Sequence, residues 1–428
     1  MHYYTIIIFL ALSTGIFGQS EEKVMIEAYN PIGDTSTCVK DVQALLNESY
    51  QNYPSIHASK QMIFGAKAEV ESAKWNYFPT FSTDFSQRSR QHGTTVRLDQ
   101  PLWTGGKLDA ANELAASKEN EAQYTLDENA YTLAEKLLSI LQNYIEADGE
   151  IKSFKEGIDQ LESFSKMLER RIEAGISSEA DRELLHTRIT QIETDLMNAQ
   201  AKHEIAKSQL KLLTGQPLQC AIGFDALRKI QQEISLDKMQ ENLLDNHPLL
   251  KKFEAKITMA QAEKKNAEAA IMPNVSLRAE YRQGSIYEND IEDDTMAYIN
   301  VSYAPGAGLS SISNIERAKY KVLQAQDELK TKEQELTNIL IADYLDYRTA
   351  KDRIQNVQKT IRSSQKVLAS YIRLFIAGKR QWLDLVNMSR ELTQNKILLA
   401  NLKAAMISSF YRLELQTGNI DVGNERRL

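Results

Sequence analysis

Proline and glycine are scarce in this chain, with 8 Pro and 18 Gly among 428 residues. Few chain breakers suit long helices, and the abundance of Gln, Glu, Lys, Ala and Leu agrees. Excess basic charge is also lacking: the formal net charge is −7. A nucleic-acid partner calls for a basic stripe, so none is expected. Long apolar runs are missing, since no segment reaches the ~20 residues a spanning helix needs. Cysteine is nearly absent. Cys38 and Cys220 make no framework in a chain of this length, so a bond between them is left open. Neither directly follows the leader described next, and lipid attachment there is not indicated.

What is present begins with Thr5 to Leu12, an eight-residue apolar run followed by small and polar residues up to Ser20. This reads as a secretory signal peptide over 1–20, although the basic n-region is missing from Met-His-Tyr-Tyr. The run is too short for a membrane anchor. With 25% charged and 42% hydrophobic residues, the chain fits neither a disordered protein nor an ordinary helical membrane protein.

An internal duplication organises the rest. Pro54 and Pro79 recur as Pro248 and Pro273, offset by 194. Leu137, Tyr144, Ile151, Ile158, Ala174, Gly175, Thr214 and Gly215 recur as Leu340, Tyr347, Ile354, Ile361, Ala377, Gly378, Thr417 and Gly418, offset by 203. The change of nine locates an insertion in the second copy between the positions matching Pro79 and Leu137. We therefore read a first repeat over 21–215, a linker over 216–246, a second repeat over 247–418 and a tail over 419–428.

Each repeat reads helix, strand pair, very long helix, shorter helix. Residues 311–377 contain neither Gly nor Pro, and their apolar positions step by seven: Ile315, Val322, Leu329, Leu336, then Leu340, Tyr347, Ile354, Ile361, Leu368 and Phe375. The step of four at Leu336–Leu340 is a stutter. Such a helix is ~100 Å long at 1.5 Å per residue. The first repeat follows suit, with Gly149 and Gly157 expected to weaken its helix slightly. Heptads alone fit an ordinary coiled coil. The strands point elsewhere. Val275, Leu277, Ala279 and Tyr281 alternate with Ser276, Arg278, Glu280 and Arg282, and Ala297, Ile299, Val301 and Tyr303 form the returning apolar face beyond an acidic loop, Glu288 to Asp294. Phe81, Phe85, Val96, Leu98 and Leu102 repeat the pattern more weakly. Two-faced strands of about ten residues match a membrane barrel wall. Four strands cannot close alone, and open edges are not tolerated in lipid, so closure needs several chains.

The whole mature chain resembles the TolC family of outer-membrane efflux channels. The resemblance rests on Phe78-Pro79-Thr80 and Met272-Pro273-Asn274 before the strands, and on Gln100-Pro101-Leu102-Trp103-Thr104-Gly105-Gly106 at a strand exit. It rests equally on the paired turns Glu173-Ala174-Gly175-Ile176-Ser177-Ser178 and Ile376-Ala377-Gly378-Lys379-Arg380-Gln381, and on the Thr-Gly endings. Ala304-Pro305-Gly306-Ala307-Gly308 departs from the pattern, having Gly where an aromatic usually follows Pro. The fold implied is mainly α with a small β part: long antiparallel coiled-coil helices forming an α-barrel, plus a four-stranded sector of a transmembrane β-barrel. The resemblance further implies a homotrimer in outer-membrane lipid with its helices in the periplasm. Its partners would be a periplasmic adaptor and an inner-membrane pump, and its work efflux or type I secretion through a passive duct. Gly175, Ile176, Ser177, Gly378 and Lys379 would form the adaptor-facing tips. Asp181, Arg380, Asp384, Asn387 and Phe375 would form the pore gate, with Asp181 pairing Arg380. Asn387 stands where a second ring acid is usual, and Phe375 where a hydrogen-bonding tyrosine is usual.

No catalytic constellation is visible. His57, His92, His186, His203 and His247 are scattered without an i, i+4 pair, so no metal or other cofactor is expected. Thr104-Gly105-Gly106-Lys107 lacks phosphate-loop spacing. Two rival readings are a periplasmic coiled-coil structural or adaptor protein, and an envelope enzyme on a helical scaffold. Neither explains why both repeats carry a strand pair at the same place.

Overall fold

The computed structural model describes residues 30–33, 38–88, 91–224, 235–284, 293–303 and 310–420. The signal peptide, most of the acidic loop, the Ala304 to Gly308 segment and most of the tail lie outside them.

The elements come in two matched series. The first runs β1 (Val39–Asp41), α1 (Val42–Asn52), α2 (Pro54–Trp75), β2 (Thr80–Arg88), β3 (Gln91–Trp103), α3 (Lys107–Glu173) and α4 (Glu179–Thr214). The second runs β4 (Ala221–Gly223), α5 (Leu236–Asn246), α6 (Pro248–Ala269), β5 (Asn274–Gly284), β6 (Asp293–Ser302), α7 (Ser310–Ile376) and α8 (Trp382–Gln416). Helix α3 and helix α7 each have 67 residues. Helix α2 and helix α6 each have 22. Proline opens both shorter helices, where its missing N–H costs nothing and its fixed φ suits the first turn.

The heptad stripe of α7 is buried, from Leu336 through Leu340, Tyr347, Ile354, Ile361 and Leu368 to Phe375. Gly149 and Gly157 do not interrupt α3. They are the points where α8 comes close. A Cβ on Gly149 would lie 2.3 Å from the Ala400 Cβ, and one on Gly157 would lie 2.8 Å from Thr393 Oγ1. The expected weakening is therefore outweighed by packing, because a glycine lets two helix backbones approach.

Compactness does not follow the sequence repeats. One unit takes residues 1–53, 130–245 and 337–428, and the other takes 54–129 and 246–336, so each draws on both repeats. Within the first unit β1 and β4 pair in parallel, Val39 opposite Ala221 and Asp41 opposite Gly223. Cys38 and Cys220, adjoining these strands, are joined in a disulfide across 182 residues of sequence. The bond that cysteine spacing left open is thus made. Tertiary pairing of two three-residue strands brings the Cα atoms to 4.8 Å, inside the range a disulfide requires.

Candidate functional site

Two regions bear on function, and each belongs to one compact unit. The first is the sheet. Its strand order is β2-β3-β5-β6, every neighbour antiparallel, so the exit strand of one repeat pairs with the entry strand of the other. Register fixes where the insertion lies. Thr80 pairs with Asp99 and Asn274 with Ser302. Asn274 follows Thr80 by 194 residues, whereas Ser302 follows Asp99 by 203. All nine extra residues therefore sit in the second hairpin's connection, beyond the Arg282–Asp294 pair.

Period-two alternation sorts the two faces. On one, Phe81, Leu98, Ala279 and Ala297 line up across all four strands, with Leu277 beside Ile299 and Val275 beside Val301. This face is uncovered by the chain itself: Phe81 and Phe85 are each 68% exposed and Ile299 66%. The other face is polar and internally paired. Arg278 meets Asp99 at 2.8 Å, Arg282 meets Glu280 at 2.8 Å, and Arg97 reaches Asp84 at 3.3 Å and Glu280 at 3.7 Å. Tyr298 donates to Glu280 as well. The outer edges of β2 and β6 have no strand partner among the described residues.

The strand-to-helix turn after β3 uses Gly105 and Gly106, both with positive φ. A Cβ on Gly105 would come within 2.0 Å of the Met272 side chain, just ahead of Pro273 and β5. That crowding explains the glycine without any phosphate-binding role.

The second region is the pair of turns joining α3 to α4 and α7 to α8. Gly175 and Gly378 have φ of +70° and +71°. Around them the same two bonds recur in register. Gly175 N–H reaches the Ile172 carbonyl and Ile176 N–H that of Arg171, while Gly378 N–H reaches Phe375 and Lys379 N–H reaches Leu374. A left-handed residue that turns two N–H groups back onto the last carbonyls is the Schellman stop, and glycine adopts it without a Cβ penalty. Ile176 and Ile376 are left 64% and 69% exposed beside the two turns.

The expected gate residues fall out as follows. Asp181 closes a capping box with Ser178: Ser178 N–H donates to Asp181 Oδ2 at 3.1 Å, and Asp181 N–H donates to Ser178 Oγ at 3.3 Å. The Trp382 indole N–H also donates to Asp181. The bond from the Ser178 backbone, aided by those from Trp382 and the Ser178 side chain, holds this carboxyl below its usual pKa. Arg380 pairs within its own turn, Nη1 to Asp384 Oδ2 at 3.1 Å, and its guanidinium lies 4.3 Å from the Tyr371 ring centroid. Asn387 is exposed. Phe375 is 3% exposed and belongs to one buried apolar cluster with Leu161, Phe164, Leu168, Leu185, Leu368 and Leu385. Sequence reasoning missed Arg171, which stacks on Phe375 at 4.7 Å and donates from Nη1 to its carbonyl at 2.9 Å. The one available signal was that Arg171 has Leu374 as its counterpart 203 residues on.

Among the described residues no group of His, Cys, Asp or Glu is arranged to hold a metal. His203 stacks on Tyr144 with ring centroids 4.6 Å apart. His247 accepts the Leu249 N–H at the start of α6. No described helix is long and apolar enough to cross a membrane.

A two-faced sheet with open edges, combined with duplicated helical hairpins, defines a channel-forming protein of the bacterial envelope whose membrane wall is built from strands. The chain belongs to the outer membrane efflux protein family, whose model matches residues 45–216 and 240–419. Among solved structures it is similar to CusC, at 17% identity and a TM-score of 0.77 over 88% of this chain and 91% of that one. It is similar also to the outer membrane protein VceC of Vibrio cholerae, at 15% identity and 0.74 over 88% and 96%. The CmeC outer membrane channel of Campylobacter jejuni matches at 14% identity and 0.75 over 90% and 87%. No curated protein matches it by sequence. The chain is an outer-membrane efflux channel protein, and the TolC-like resemblance holds.

Proposed function

We propose that three copies of this chain close one duct, each supplying four strands to a twelve-stranded barrel, and that the duct serves a tripartite efflux or secretion assembly. The observation that carries this is the sheet: its bare apolar face suits contact with lipid rather than water, and both its edges are open among the described residues, which lipid does not tolerate unless they pair with other chains. Four strands per chain would also fit an eight-stranded dimer, and three is the number the family resemblance implies. Strand β2 and strand β6 run in opposite directions, so β6 of one copy can pair antiparallel with β2 of the next, head to tail, until the ring closes.

The inner ends would be the turns at Gly175 and Gly378. Exposed Ile176 and Ile376 support these as the places where a periplasmic adaptor docks and hands over cargo from an inner-membrane pump. Arg380, Asp384, Asp181 and the exposed Asn387 would tune the aperture there. Phe375 would act through its burial, as part of the packed end of the hairpin. The assembly test is chemical crosslinking and mass measurement of the protein extracted in detergent. We expect a ladder that saturates at three chains, and saturation at two chains or a soluble monomer overturns the proposal.

A further inference from the structure

An open cavity of about 340 Å³ lies between α3, α4 and α8, all of it within one compact unit. That volume falls in the range of small-molecule sites, which are mostly apolar with a few placed polar groups. Phe154 and Leu161 line it from α3, Ile192 from α4, and Val386 and Ile397 from α8. Leu161 and Val386 are 2% and 4% exposed, so they lie at its floor. Gly157, between the two α3 residues, lets α8 come close at the same level, which brings Thr393 into the lining.

The charged lining is sorted along the helices. Helix α4 and helix α8 both lead away from their turns, and the bond from Trp382 to Asp181 sets their starts side by side. Arg188 lies 13 residues after Gly175 and Arg390 lies 12 after Gly378, so the two arginines line the cavity at one level. Asp195 lines it seven residues further along α4, about 10 Å away at 1.5 Å per residue. Arg188 donates to Gln191 at 3.3 Å, whereas Arg390 is exposed and meets no acceptor among the described residues. Two cations at one end of an apolar cavity repel each other. An anion between them replaces that repulsion with two charge-assisted bonds. Asp195 at the far end disfavours the reverse orientation.

We propose that this cavity binds an amphipathic organic anion, with a carboxylate or sulfonate held between Arg188 and Arg390. The apolar body of the ligand lies over Leu161, Ile192 and Val386 and points towards Phe154. Arginine suits the first task because its fork of N–H donors matches an oxyanion and stays charged. The site stands apart from the turns at Gly175 and Gly378, and its occupancy does not depend on the duct reading.

The test titrates naphthalenesulfonate into the assembled protein in nanodiscs of neutral lipid, by calorimetry, against empty nanodiscs. We expect one site per chain in the parent. Naphthylmethanol, a similar apolar body without the charge, should bind roughly tenfold more weakly. Arg390→Gln keeps a polar group but removes the charge, and should weaken the sulfonate roughly fivefold while leaving naphthylmethanol unaffected. Ile192→Trp fills the cavity and should abolish binding of both probes. Should that variant fail to assemble, Ile397→Phe fills it from α8, and the same loss is expected. A parent that takes up no sulfonate at millimolar concentration overturns the proposal, as does a cavity-filled variant that binds like the parent. Equal affinity for the two probes, or for the sulfonate in the parent and in Arg390→Gln, would show apolar partition alone and would equally overturn it.

Discussion

A Cβ placed on Gly149 would stand 2.3 Å from the Cβ of Ala400, which fixes how closely α3 and α8 approach. Glycine inside a helix costs about 1 kcal/mol relative to alanine. Inserting a methyl into a packed contact costs about 1–3 kcal/mol. We therefore expect Gly149→Ala to lower stability by up to roughly 2 kcal/mol despite its better helix propensity. Thermal unfolding of the assembled protein reads this, and an unchanged or raised midpoint would show that the helices can separate freely.

The Cys38–Cys220 bond encloses nearly all of the first repeat, 182 residues of separation. Closing so long a loop in the unfolded chain is worth about 5 kcal/mol in the chain-entropy model, and commonly less. Paired Cys38→Ser and Cys220→Ser replacements, or reduction, should lower the unfolding midpoint while leaving helix content intact. Circular dichroism under reducing and oxidising conditions separates the two effects.

His247 is 1% exposed and its pKa is lowered to about 4 by burial. A folded pKa below the unfolded value of about 6.5 means that the unfolded chain binds the proton first. The stability this neutral imidazole confers is present above pH ~6.5 and is lost progressively as pH falls towards 4. His247→Asn retains a helix-capping acceptor without the titration. Its unfolding midpoint should fall less than the parent's between pH 7 and 4, and parallel curves would remove His247 from the account.

The Arg380–Asp384 pair is 40% and 37% exposed, so each copy contributes only about 0–1 kcal/mol. Both side chains belong to one turn, so the pair bridges no two hairpins and bears on the aperture only through where it holds Arg380. Arg380→Ser and Asp181→Ala should each raise single-channel conductance, and Asp384→Ala should reduce cation preference. Asp181→Asn is the control, since it removes the charge but can still accept at the helix start. Conductance equal to the parent's at low salt, where exposed charges act most strongly, would remove these residues from the gate.

Periodicity is a property of the chain itself, which is why the long helices, the two-faced strands and the turns at Gly175 and Gly378 were legible before any coordinates. Seven-residue spacing needs only one buried stripe, and a glycine at a left-handed stop needs only local sterics. The duplication likewise showed that nine residues had been inserted. Offset alone placed them only between the positions matching Pro79 and Leu137, and narrowing this to the hairpin connection needed the pairing of Thr80 with Asp99 and of Asn274 with Ser302, which is a tertiary relation. The disulfide was hidden for the same reason: Cys38 and Cys220 meet only because β1 finds β4. Gly149 and Gly157 looked like weak points along one helix and are contacts between two. At the turns, the family resemblance paired Asp181 with Arg380 and left Phe375 without a hydrogen-bonding role. Folding gave Asp181 to Ser178 and Trp382, Arg380 to Asp384, and Phe375 to Arg171, because side-chain pairing depends on which helix faces which, and no periodicity encodes that.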